Sequence, residues 1–142
     1  MRRRTRAAGG RGESGEALVE FALILPIMLV LSLGMLDFGR AFHAKSLVDR
    51  AAREGCRIAI VTTPPDNQGM IFDRVTKILE AGGMTPNSVT SNMSGDRLVT
   101  VRVGITFKFM TPGLFSLLGA KFDNTMELTG LAVMRSETGS NN

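Results

Sequence analysis

Side chains able to do chemistry are few in this chain of 142 residues, which holds one histidine and one cysteine. His43 alone cannot build a multi-histidine metal motif, and Cys56 alone excludes an internal disulfide and a multi-cysteine zinc site. No nucleophile is arranged around His43, which reads as structural or solvent-facing. Cys56 reads as a small buried hydrophobe, with an inter-subunit disulfide in an oxidising compartment as its alternative chemistry. Gly9-Gly10-Arg11-Gly12 lacks the Lys-Ser/Thr that completes a phosphate loop and follows no strand, so it reads as flexible chain. The acidic residues are scattered and the methionines form no cluster. These features predict no enzyme, no catalytic residue, no metal, no cofactor and no small-molecule substrate.

One carboxylate is out of place. Glu20 is the only charge in Ala17–Leu36, which reads ALVEFALILPIMLVLSLGML and contains one proline, Pro26. A charge at the centre of a membrane helix costs roughly 2.5–3.5 kcal/mol, and less near the end, where Glu20 lies. Such a carboxylate either snorkels to water or waits for a positive partner. Pro26 removes one helical hydrogen bond, so a kink or a loosened turn is expected there.

The elements around Glu20 follow from hydropathy and charge. At about 1.5 Å per residue, residues 17–36 span roughly 30 Å, the thickness of a bilayer core. A secretory signal has a shorter apolar region followed by a small-residue cleavage site. Here Leu36-Asp37-Phe38-Gly39-Arg40 follows instead, which favours a retained membrane span. The net charge of +4 comes from Arg2, Arg3, Arg4, Arg6 and Arg11 in a leader opposed only by Glu13. From Glu16 onward the charges cancel, so there is no basic stripe on a folded part and no nucleic-acid partner is expected. Five basic residues precede the span, and Arg40, Lys45, Arg50 and Arg53 follow it. With the long C-terminal part read as translocated, this predicts a single-pass inner-membrane protein, N-terminus cytoplasmic and C-terminal domain periplasmic.

Arg11-Gly12-Glu13-Ser14-Gly15-Glu16-Ala17-Leu18-Val19-Glu20-Phe21 resembles a class III, or prepilin, signal. The resemblance implies cleavage between Gly15 and Glu16, with Glu20 as the fifth residue of the mature chain. A glycine before the cut suits an extended backbone in a protease cleft. The new amine can face the Glu20 carboxylate of a neighbouring subunit, each lowering the cost of burying the other. Residues 15–60 look like the TadE-like family of pseudopilins. The resembling pieces are Ala17-Leu18-Val19-Glu20-Phe21-Ala22, Leu25-Pro26, Asp37-Phe38-Gly39-Arg40 and Ala51-Ala52-Arg53-Glu54-Gly55. That resemblance implies a minor pilin of the tight-adherence (Flp, type IVc) pilus, used in surface attachment. Its implied partners are a prepilin peptidase, the major Flp pilin, a sibling pseudopilin and an inner-membrane assembly platform. Glu20-Phe21 is the pair expected of these pseudopilins, where the major pilin has Glu-Tyr. The alternative is an uncleaved bitopic protein with a periplasmic binding module.

The predicted fold is α+β, in three parts: a leader at 1–15, a long helix at 16–63, and a periplasmic domain at 64–142. Beyond the span, Phe38, Ala41, Phe42, Ala44, Leu47, Val48, Ala51, Ala52, Gly55, Ile58 and Ala59 recur at helical spacing. This small-residue stripe should pack against the chain's own C-terminal domain or against neighbouring subunits. Asp49 and Arg53 are spaced for a surface pair. Thr63-Pro64-Pro65 should end the helix. A second helix fits Gly69 to Ala81, ended by Gly82-Gly83. Val99 to Phe107 alternates as a strand, with a hairpin through Ser94-Gly95-Asp96 to an earlier strand at Ser88 to Met93. Pro112 to Leu118 reads as a short helix, with Leu114, Phe115, Leu117 and Leu118 capping the core or touching the bilayer. Glu127 to Arg135 reads as the last strand, and Thr138 to Asn142 as a frayed tail.

Overall fold

A computed structural model describes residues 13–62, 68–94, 97–113 and 123–136. The elements in chain order are α1 (Glu13–Val61), α2 (Gln68–Ala81), β1 (Ser88–Met93), β2 (Leu98–Lys108) and β3 (Thr125–Arg135). The fold is α+β: a long apolar helix, a second helix and a three-stranded antiparallel sheet of order β1-β2-β3. The Pro112–Leu118 helix survives as one turn over Thr111–Gly113, and its remainder lies outside the described residues, as do the Pro-Pro stop and the C-terminal tail.

α1 is 49 residues long, about 74 Å at helical rise, more than twice a bilayer core. It runs unbroken through Pro26, although Pro26 has no N–H for the Ala22 carbonyl. It also begins at Glu13 rather than at Glu16, so residues 13–15 extend the helix past its expected start.

α2 is short and amphipathic, burying Ile71, Val75 and Leu79. Its end follows a specific device. Gly83 takes φ +71°, and Met84 N–H donates to the Leu79 carbonyl at 2.9 Å, the Schellman geometry that a left-handed glycine permits. The β1–β2 hairpin is closed by Ser94 N–H donating to the Leu98 carbonyl at 2.8 Å, with Arg97 in the left-handed region at φ 60°.

The second half of α1 lies across the sheet, and α2 packs beside it. Val48, Ala51, Ala52, Cys56 and Ala59 meet Ile71, Val75 and Leu79 on one side and Val99, Val101, Val103 and Ile105 on the other. Small residues on α1 allow this closeness. Gly130 on β3 shows how close: a Cβ there would stand 2.8 Å from the Val48 carbonyl oxygen. Lys45 ties the same helix to β3, its Nζ donating to Asp49 at 2.6 Å and to the Thr129 carbonyl at 2.8 Å.

Two expectations about α1 need correction. Asp49 pairs with Lys45, not Arg53, because Lys45 also reaches the Thr129 carbonyl and is held between two acceptors. Phe38 and Phe42 are not part of the buried stripe. They are 73% and 69% exposed.

Candidate functional site

Most of residues 15–36 of α1 are exposed; Val30, Leu33 and Gly34 are half-buried, and Gly34 and Leu36 border the domain. The apolar window of this helix has a mean hydropathy of 2.3 and none of it is buried, and the helix is long and apolar enough to cross a membrane. Leu18, Val19, Phe21, Leu23, Ile27, Met28, Leu31 and Met35 are all exposed. A helix that is apolar on every side and uncovered is built for lipid or for other helices, not for water.

The predicted site residues all fall on this bare segment. Gly15 has open space around it, and the Gly15–Glu16 bond lies in the first turns of α1. Helical backbone is a poor protease substrate, so cleavage there requires this end of the helix to open. Terminal turns do so readily, since their first N–H groups have no intrahelical partner. Glu16 and Glu20 are four residues apart and share a helix face, where two carboxylates repel. Phe21 stands beside Glu20 in sequence and is 61% exposed. The structure thus puts Gly15, Glu16, Glu20 and Phe21 on two adjacent turns, with Pro26 a further turn and a half along.

Sequence reasoning passed over the residue that ties this segment to the domain. Asp37, the first residue after the span, is buried at 2% exposure. Its carboxylate accepts the Met110 N–H at 2.8 Å, the Thr111 N–H at 2.7 Å and the Thr111 hydroxyl at 2.6 Å. Arg40 adds a fourth partner at 3.2 Å. Burial by itself pushes the Asp37 carboxyl up, but the bonds from Thr111 and Met110 and the Arg40 charge together hold it below the ordinary aspartate value. Asp37 therefore pins the turn that leaves β2 to the point where α1 leaves the apolar segment. Its one local signal was the Asp37–Arg40 spacing at the end of the span. Its main partners lie more than seventy positions away, beyond the reach of any local pattern.

The other candidates have simpler roles. Cys56 is fully buried, its S–H facing the Ala132 carbonyl at 3.2 Å, and burial pushes its thiol up. A disulfide to another subunit is closed to it while the domain is folded. His43 is exposed and lines a cleft with Arg40 and Lys108. Among the described residues no three His, Cys, Asp or Glu side chains gather at one point.

Residues 15–57 match the model of a family described as TadE-like protein. The match starts at Gly15, covers the bare segment and Asp37, and ends just after Cys56. It connects the chain in general terms with Tad pilus systems and is consistent with a membrane-anchored pilus component. No curated protein and no solved structure matches the chain.

Proposed function

We propose that this chain is a minor pseudopilin, cut by a prepilin peptidase after Gly15 and used in assembling a tight-adherence (Flp, type IVc) pilus for surface attachment. The observation that carries this reading is the uncovered apolar helix of residues 15–36 with Glu20 near its start. Before assembly the helix sits in the inner membrane, with the leader cytoplasmic and the domain periplasmic. The peptidase removes the leader and leaves the span in place. The new α-amine of Glu16 and the Glu20 carboxylate of a neighbour then meet in an apolar surrounding, where each offsets the other's burial cost. Helix packing with the major Flp pilin and a sibling pseudopilin, on the inner-membrane assembly platform, does the rest. The role is non-catalytic and uses no cofactor.

Glu20→Ala tests the assembly step. The variant should insert and be cut as the parent is, yet be missing from the sheared pilus fraction or fail to support piliation. Unchanged piliation with Glu20→Ala would reject the role given to Glu20.

A second reading has one observation in its favour. α1 already runs as helix through Gly15 and Glu16, as it would in a bitopic protein that keeps its leader and uses the domain as a binding module. Both readings share the span and differ at the Gly15–Glu16 bond.

A further inference from the structure

The underside of the domain, where α1 emerges from the apolar segment, has two unlike grooves on opposite flanks of the helix. One is apolar, about 590 Å³, and runs between Gly34, Phe38, Pro112 and Met126. The other, about 620 Å³, starts at Leu36 and carries three basic side chains, Arg40, His43 and Lys108. Neither belongs to the assembly site described above.

Their height relative to a bilayer is fixed by the helix itself. Phe38 and Phe42 stand about 3 and 9 Å beyond Leu36 along the axis. Met110 is held at the level of Asp37 by its own N–H bond, so the turn after β2 is at the same height. The headgroup layer adds roughly 5–8 Å to each side of the hydrocarbon core. The 590 Å³ groove and the exposed Phe38 and Met110 therefore lie at the acyl–headgroup boundary, and the basic cleft at the phosphates. Among the described residues, Asp37 and Asp123 also line the apolar groove, and hydrogen bonds hold both as carboxylates. Asp37 is buried with four donors, and Asp123 accepts from the Thr125 N–H and hydroxyl at 3.1 and 2.8 Å.

We infer that in the membrane-resident form this underside is a lipid-docking surface, with Arg40, His43 and Lys108 holding the phosphate of an anionic phospholipid and Phe38, Met110 and Met126 resting in the acyl boundary. Charge complementarity and continuity with the span select this occupant. The lipid belongs to whichever leaflet faces the domain, so the inference rests on the membrane span but not on cleavage or on the direction of insertion. Docking would hold the domain against the bilayer until the helix is withdrawn.

The test uses the full chain in nanodiscs of equimolar phosphatidylcholine and phosphatidylglycerol. Nitroxides are placed by Ile27→Cys, Met110→Cys or Val61→Cys, the buried Cys56 staying unlabelled. Accessibility to oxygen and to a water-soluble relaxant should put residue 27 in the core, residue 110 at the acyl–headgroup boundary and residue 61 in water. A water-like signal at 110 with 27 still in the core would overturn the docking and leave the span intact. A water-like signal at 27 would overturn the span and the docking together. Spin-labelled phosphatidylglycerol should associate about fivefold more strongly per cation than spin-labelled phosphatidylcholine. Lys108→Gln, on an exposed strand end, should bring that preference toward parity. Equal association of the two lipids with the parent chain would overturn the headgroup site.

Discussion

Residues 15–36 and residues 37–61 are two halves of one helix, and they treat their side chains in opposite ways. The first half carries Leu, Ile, Val, Met and Phe all round and covers almost none of them. The second half carries Ala, Gly and Cys on one stripe and buries that stripe completely, with charges on the other side. Large apolar residues suit lipid or a loosely matched neighbour, where contact area matters more than fit. Small ones suit a backbone-to-backbone approach with a fixed partner, as at Val48 and Gly130. The change occurs at Asp37, whose carboxylate ties helix and domain together at the boundary. The difference shows that the domain's packing rests on the second half, while the first half contributes little to it.

That division can be broken by truncation in each half. Leu79→Ala removes a fully buried side chain packed under the second half and should cost about 3 kcal/mol, within the usual range for leucine truncation. Leu29→Ala, in the first half, should leave domain unfolding unchanged within about 0.5 kcal/mol. Denaturant unfolding in mild detergent, followed by circular dichroism, measures both. Equal losses would mean that the domain leans on the first half after all.

A smaller effect sharpens the comparison at two glycines. Gly130→Ala brings a Cβ against the Val48 backbone, which cannot swing aside as a side chain can, and should cost about 1–3 kcal/mol. Gly34→Ala meets nothing within 4 Å and should be neutral or stabilise α1 by about 0.5–1 kcal/mol. Thermal melts of the pair should move in opposite directions or, at the least, only the Gly130 variant should fall.

Asp37 sets the boundary, and its effect depends on pH. Asp37→Asn keeps the size but turns an amide N–H₂ toward donors, and should cost about 2 kcal/mol. Because the folded carboxyl lies below its unfolded value of 3.8, its contribution is complete well above that value. It is lost as pH falls through 3.8 and then through the lower folded value. The parent should therefore lose stability relative to Asp37→Asn across that acid window, and the two should converge at the acid end. A constant difference between them from neutral to acid would show that the charge of Asp37 is not what holds the turn.

Much of this arrangement could be read from the chain alone, for identifiable reasons. The apolar helix was legible because one charge in twenty residues leaves few alternatives, and β2 because its alternation keeps step from Val99 to Phe107. The β1 bounds and the end of α2 came from local turn chemistry at Ser94 and at Gly82-Gly83, which local sequence encodes directly. Phe38 and Phe42 misled because helical spacing records that residues are apolar, not whether lipid or protein faces them. Both are exposed, while the stripe through Val48 is buried against the sheet. The Asp37 clamp was not legible because it is made by the return of the chain at Met110 and Thr111, a consequence of topology. The helical setting of Gly15 and Glu16 was not legible: nothing in Gly12-Glu13-Ser14-Gly15 announces that α1 begins at Glu13.

The most direct test of the account is the N-terminal residue of the protein recovered from the membrane fraction of its native host, by intact mass or terminal sequencing. A pseudopilin should begin at Glu16, with the basic leader gone and the bare helix kept whole. A chain that still begins at Met1 or Arg2 would contradict that reading and leave a membrane-anchored domain that keeps its leader.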